Sequence, residues 1–292
     1  MSFPYLGETR ILDDAIRSGL GGAFISLEDG VTHYEFGGPE PGAPVVFIHG
    51  FSVPYFIFDT TFEFLKGAGF RVLRYDLFGR GYSDRPIVRY DMELFIHQLK
   101  GLLDAFNLGA VNLIGLSMGG SIVATFTNRY PERVSKLVLI DPSGARPIDF
   151  SPLLKLVKMP LFGELVLGLF GTRNMLQGIA SDLFSPELVE QFQAQYRVQM
   201  EFKGFKRAII SSMRANVLGS FLESYAELGR LNIPTLMFWG VNDKTVPFEQ
   251  SADILAAIPH AEFHPIEACG HIPHYEKPSE VNPILLEFLK TP

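Results

Sequence analysis

The chain has 292 residues, 47% of them hydrophobic, enough for one large core or a core with a modest insertion and too many for a disordered polymer. A net charge of -7, with no dense run of lysine and arginine, argues against a nucleic-acid partner, because a phosphate backbone is repelled on average. The single cysteine, Cys269, excludes an intramolecular disulfide and gives no sign of an oxidising compartment.

The N-terminal stretch MSFPYLGETRILDD lacks a basic segment followed by an apolar run, so no signal peptide is expected. Two short β-branched or apolar runs, 23–27 and 32–36, flank Glu28-Asp29-Gly30, a turn sequence that predicts an antiparallel hairpin. Further strands are predicted at 45–49, 72–76, 111–116, 136–140, 235–239 and 262–266. Helical patterns lie between and after them, at 56–67, 91–106, 119–130, 248–257 and 278–289. This alternation predicts a mostly parallel sheet with helices on both faces, an α/β fold.

The alternation stops between 146 and 226, where segments such as 186–198 and 205–216 read as helices with no convincing strand. Ser185-Pro186-Glu187 reads as an N-cap followed by proline at the first helical position. The most apolar stretch of the chain, 153–170, falls here, but Lys155, Lys158, Pro160 and Glu164 interrupt it and make a membrane span improbable. A cytoplasmic location is the default. A helical insertion between parallel strands sits over their carboxyl ends, where open α/β sheets bind ligands. Residues 146–226 are therefore read as a helical cap on a core built from 1–145 and 227–292.

Gly115-Leu116-Ser117-Met118-Gly119 follows the apolar run VNLIGL and precedes a helical stretch that opens with small residues. A sharp strand-to-helix turn strains the serine backbone, needs small neighbours, and lifts the hydroxyl above the sheet at a helix N-terminus. Ser117 is the candidate nucleophile. A serine hydroxyl needs a base, and the base needs an orienting carboxylate. His271 lies just past the last predicted strand and Asp243 just past the one before it, and Ser, Asp, His is the chain order of this turn's triads. Asp141, which also ends a predicted strand, is the alternative acid, and His274 is the rival base. His49, at the end of a central strand, is read as support for the loop that follows. His33, His97, His260 and His264 are read as surface or satisfied core residues. The oxyanion donors are expected to be the backbone N–H groups of Met118 and Phe51. Phe51, Met118 and Trp239 are candidate substrate-pocket walls. No metal and no cofactor are expected.

The segments VVFIHGF, DLFGRGYSDRP, NLIGLSMGGSIVATF, RVSKLVLIDPSG, IPTLMFWGVNDKTVP and ACGHIPHYEKP resemble those of α/β-hydrolase-fold serine hydrolases. Their pattern is similar to that of the lipase and carboxylesterase group, including monoacylglycerol-lipase-like enzymes and carbon–carbon-bond hydrolases. The resemblance implies an eight-stranded, mostly parallel α/β-hydrolase sheet with the cap inserted after strand 6. It also implies that residues 76–86 form a structural turn beneath the site, without a catalytic role. Haloalkane dehalogenases and epoxide hydrolases of this fold carry aspartate where this chain has Ser117. The loop after His49 lacks the Gly-Pro-Gly pattern of many carbon–carbon hydrolases.

The expectation is therefore hydrolysis of a small-molecule carboxylic ester with an apolar acyl group through an acyl-enzyme. Carbon–carbon, lactone or amide hydrolysis, or cofactor-free peroxidation, on the same triad is the alternative. A slow-turnover binding or signalling protein is the alternative of another class. The sequence leaves the oligomeric state open.

Overall fold

Strands β1 (Ala23–Leu27) and β2 (Gly30–Gly37) pair antiparallel with Leu27 opposite Gly30, so Glu28 and Asp29 alone make the turn between them. The computed structural model describes residues 5–148 and 157–291; the apolar residues 152–156 of the insertion lie outside them. Strands β3 (Pro44–Ile48), β4 (Arg71–Tyr75), β5 (Val111–Leu116), β6 (Val134–Ile140), β7 (Thr235–Gly240) and β8 (Glu262–Ile266) complete the sheet. The eight-stranded order is β1-β2-β4-β3-β5-β6-β7-β8, antiparallel through β2–β4 and parallel from β4 onward.

The central strands are apolar at nearly every position because both of their faces are covered. Alternate residues divide between two cores. Val46, Ile48, Leu113, Leu139, Met237 and Trp239 join one, packed against α3 (Met92–Ala105), α4 (Met118–Arg129), α8 (Leu222–Leu228) and α9 (Ser251–Ala257). Val45, Phe47, Ile114, Leu116, Val138 and Phe238 join the other, with α2 (Asp59–Gly67) and α11 (Pro278–Lys290). Two short helices, α1 (Asp14–Arg17) and α10 (Pro273–Glu276), were not anticipated. Asp91 begins α3 as a true cap, its carboxylate accepting from the Leu94 N–H at 3.2 Å.

Between β6 and β7 the described residues form α5 (Phe162–Ala180), α6 (Val189–Gln199), α7 (Phe205–Arg214) and α8, with no strand among them. The N-cap expected at Ser185 differs in detail. Pro186–Leu188 is a 3₁₀ turn ahead of α6, and the Ser185 side chain makes no capping bond. Its backbone N–H instead donates to Glu276 Oε2 at 2.8 Å, so a core side chain holds this segment in place. Likewise 56–67 divides into a 3₁₀ turn, Tyr55–Phe58, and α2. Among the described residues no helix is long and apolar enough to cross a membrane.

Candidate active site

Ser117 joins β5 directly to α4 with φ 54° and ψ -120°, a conformation that costs a residue with a side chain about 1–3 kcal/mol. The surroundings enforce it. A Cβ on Gly119 would lie 2.2 Å from the Ile48 carbonyl oxygen, and one on Gly115 would lie 2.5 Å from that of Gly119. Close backbone approach of β3, β5 and α4 thus demands glycine at both positions. The Ser117 N–H donates to the Ile140 oxygen at 2.9 Å, and its own carbonyl accepts from Gly120 at 2.8 Å and Ser143 at 3.0 Å. Met118 is the first residue of α4, so its N–H has no intrahelical acceptor.

Asp243 and His271 follow β7 and β8 at the same edge of the sheet. His271 Nδ1 and Asp243 Oδ2 are 2.7 Å apart. The other oxygen, Asp243 Oδ1, accepts from the N–H groups of Thr245 at 2.7 Å and Val246 at 2.9 Å. These three contacts fix the plane of the carboxylate. Burial alone would depress the His271 pKa, but the charge of Asp243 and its hydrogen bond outweigh burial and raise it above the usual imidazole value. Ser117 and His271 face one cavity.

The other histidines are placed differently. His49 is fully buried, accepts from the Leu77 N–H at 2.9 Å and contacts the Gly50 oxygen at 2.9 Å; burial lowers its pKa to about 4. It braces the loop after β3. His274 stacks on Phe58 and is lowered to about 3 by burial. His33 is a core residue paired with Asp76 at 2.7 Å. Among the described residues, Asp141, Asp243 and His271 form the one grouping of potential metal ligands, with ligand atoms within 4.8 Å of one another. The imidazole Nδ1 of that grouping is already bonded to Asp243.

Two features near the site escaped the sequence. Arg80, in the turn expected to be purely structural, is fully buried. Its Nε donates to the Phe51 oxygen at 2.8 Å, Nη1 to the Phe78 oxygen at 3.1 Å, and Nη2 to Ser212 Oγ on α7 at 2.9 Å. The guanidinium also lies over the Phe51 and Phe95 rings, at 5.4 and 5.3 Å. Burial lowers its pKa only to about 10, so it is a cation at neutral pH. The residue that bears one expected oxyanion donor is therefore anchored by a buried positive charge. The second feature is Asp182, in the insertion. Its backbone oxygen accepts from the His271 N–H at 2.7 Å, and its carboxylate accepts from the Thr245 hydroxyl. Burial raises this carboxyl to about 6. Glu276 completes the clasp, accepting from Gly270 N–H through one oxygen and from the Phe184 and Ser185 N–H groups through the other, each at 2.8 Å.

The cavity above Ser117 has a volume of about 450 Å³. Phe51, Ile57 and Leu116 form its floor with Ser117, while Leu167, Met175 and Ile179 of α5 and Ile209 and Met213 of α7 form walls. Asp182 is its only lining carboxylate and Lys244 its only lining cation among the described residues, and Lys244 is exposed. Phe51 thus lines the cavity. Trp239 does not: it is fully buried in the opposite core, where its Nε1 donates to the Val246 oxygen at 3.1 Å. The Met118 side chain is also buried in that core, which leaves only its backbone to serve the site.

A family model described as the α/β hydrolase fold matches residues 43–278. The chain belongs to that family. It is 30% identical over 281 residues to a 2-hydroxy-6-oxononadienedioate/2-hydroxy-6-oxononatrienedioate hydrolase of Cupriavidus pinatubonensis, covering 91% of this chain and 94% of the relative. It is also 30% identical, over 76% of this chain and 78% of the relative, to a 2-hydroxy-6-oxo-6-phenylhexa-2,4-dienoate hydrolase of Comamonas testosteroni. A thermophilic esterase from Thermogutta terrifontis superposes with a TM-score of 0.76 at 27% identity, covering 93% of this chain and 98% of that one. The chain is a hydrolase of this fold.

Proposed function

We propose that this chain is a serine hydrolase that cleaves the bond beside a carbonyl carbon carrying an apolar substituent, and that the bond is carbon–carbon. The observation that carries the first half is the cavity, in which Ser117 and His271 open onto apolar walls. In this reading His271 takes the Ser117 proton, the hydroxyl oxygen adds to the carbonyl, and the N–H groups of Met118 and Phe51 receive the oxyanion. Asp243 orients the imidazole and stabilises its cationic form. His271 then gives the proton to the leaving group and later takes one from the water that frees the acid. Residues 146–226 act as the cap that supplies the apolar walls and excludes water.

The leaving group is assigned from the relatives. The two relatives are named as hydrolases of conjugated 2-hydroxy-6-oxo acids, a dienedioate or trienedioate in one and a 6-phenyl dienoate in the other, so the carbon–carbon reading takes precedence over the ester reading of the sequence. There the 2-hydroxy-2,4-diene must first tautomerise, its hydroxyl proton passing to C5. The 2-oxo group so formed then takes up the electron pair of the broken C5–C6 bond as a dienolate, whose oxygen receives the proton from His271. A second reading, ester hydrolysis, is favoured by a specific observation. A dienoate carries a carboxylate, and the only lining cation among the described residues is the exposed Lys244, whereas a neutral ester needs none. The esterase among the structural neighbours is consistent with that.

The test is a direct competition. Purified enzyme is assayed with 2-hydroxy-6-oxo-6-phenylhexa-2,4-dienoate and with p-nitrophenyl esters of two to twelve carbons, with Ser117→Ala as control. The proposal expects the higher kcat/KM on the dienoate. A higher value on the esters transfers the assignment to the second reading, and full activity in Ser117→Ala overturns both.

A further inference from the structure

Asp141 is a buried carboxyl that the mechanism above does not use. It follows β6 directly, has no exposed surface, and sits at φ 41°, a left-handed conformation unusual for a residue with a side chain. Its Oδ1 accepts from the Gly240 N–H at 2.9 Å, while Oδ2 is buried with no donor. One of its oxygens, one Asp243 oxygen and one His271 ring nitrogen all lie within 4.8 Å of one another. Two buried carboxyls this close cannot both be ionised. Asp243 has two backbone N–H donors and the imidazole, whereas Asp141 has a single N–H, so the shared proton belongs on Asp141. Burial and the neighbouring Asp243 charge both raise the Asp141 carboxyl well above its ordinary value, in agreement with this placement.

We propose that Asp141 is a neutral positioning partner whose Oδ2–H points to Asp243, and that it becomes the ionised partner of His271 when Asp243 is removed. The inference rests on the triad reading above. The proton simply stays on Asp141 while Asp243 is present, and leaves to solvent when that neighbouring charge is gone. The other groups around the pair are Glu276, which faces Asp141 at longer range, and Asp182 and His274, which face His271. Among the described residues, only Asp141 brings an oxygen within 4.8 Å of both an Asp243 oxygen and a His271 ring nitrogen.

The experiment has a spectroscopic arm and a kinetic arm. The infrared difference spectrum of wild type minus Asp141→Asn at neutral pH is expected to show a protonated-carboxyl C=O band. Its absence overturns the proposal whatever the variants do to activity. In the kinetic arm, Asp243→Ala is expected to keep about tenfold or more of the kcat/KM that Asp141→Asn/Asp243→Ala loses. The acidic limb of the rate profile should fall to lower pH only in the double variant, where burial of His271 acts without an adjacent carboxylate. Asp141→Asn, which still offers a donor to Asp243, should lose several-fold less activity than Asp141→Leu. Equal activities and equal acidic limbs in Asp243→Ala and the double variant overturn the reserve role. Ser117→Ala in the same assay separates the two failures: activity there sinks the triad reading, and the infrared band stands or falls without it.

Discussion

The loops after β3, β5, β7 and β8 and the helices between β6 and β7 build the same cavity by different physics. The loops are rigid and polar. Ser117 is held in a strained conformation by glycine contacts too close for a Cβ, and Asp243 by two backbone N–H groups. The helices contribute apolar side chains, Leu167, Met175, Ile179, Ile209 and Met213, which set size and polarity rather than chemistry. The same insertion is tied to the loops by polar contacts, Asp182 to His271 and Thr245 and Ser212 to Arg80. Changes in the loops should therefore act on kcat, and changes on the helical walls on substrate choice.

The largest effect should come from Ser117→Ala, which is expected to lower kcat by about 10⁴-fold or more with the fold retained. A circular-dichroism melt and a rate measurement on one preparation check both halves. Arg80→Gln comes next, with kcat falling about 30- to 100-fold and KM little changed, because it frees the Phe51 carbonyl and removes a buried cation beside the oxyanion loop. A change confined to KM would break the proposed link between Arg80 and that loop. Ile179→Trp fills part of the cavity. It should reduce kcat/KM for the longest acyl substituents about tenfold relative to the shortest, read from a chain-length series.

The smallest effect is one of pH. His271 must be neutral to act as a base and its pKa is raised, so the rate should fall as pH drops through a value above the ordinary 6.5. Asp182→Asn removes a charge that helps raise it, so the acidic limb should move to lower pH, with a change in kcat of only a few-fold. A limb that moves upward in this variant contradicts the clasp's electrostatic role.

The eight strands were legible because most are short β-branched or apolar runs bounded by turn residues, and Glu28-Asp29-Gly30 announced the hairpin directly. Ser117, Asp243 and His271 stood out because each follows a strand end, a position that can be read locally. What local reading could not supply was the face of a strand. Trp239 also lies near a strand end, but the two-residue period turns it into the core shared with Met237, away from the cavity. Arg80 was read past because a charged residue in a glycine-rich turn is ordinarily solvated. Its burial depends on Phe51 and on Ser212, the latter 132 positions along the chain. Asp182 was missed, and Ser185 was read only as an N-cap, because their partners Thr245, His271 and Glu276 are distant in sequence.

The central claim is that Ser117 is the nucleophile activated by His271. Intact-protein and peptide mass spectrometry after brief exposure to a fluorophosphonate tests it most directly. One adduct is expected per chain, on the peptide containing Ser117, forming rapidly in wild type and far more slowly in His271→Ala. An adduct on another residue, or labelling of Ser117 at equal rates in the two proteins, would contradict the account.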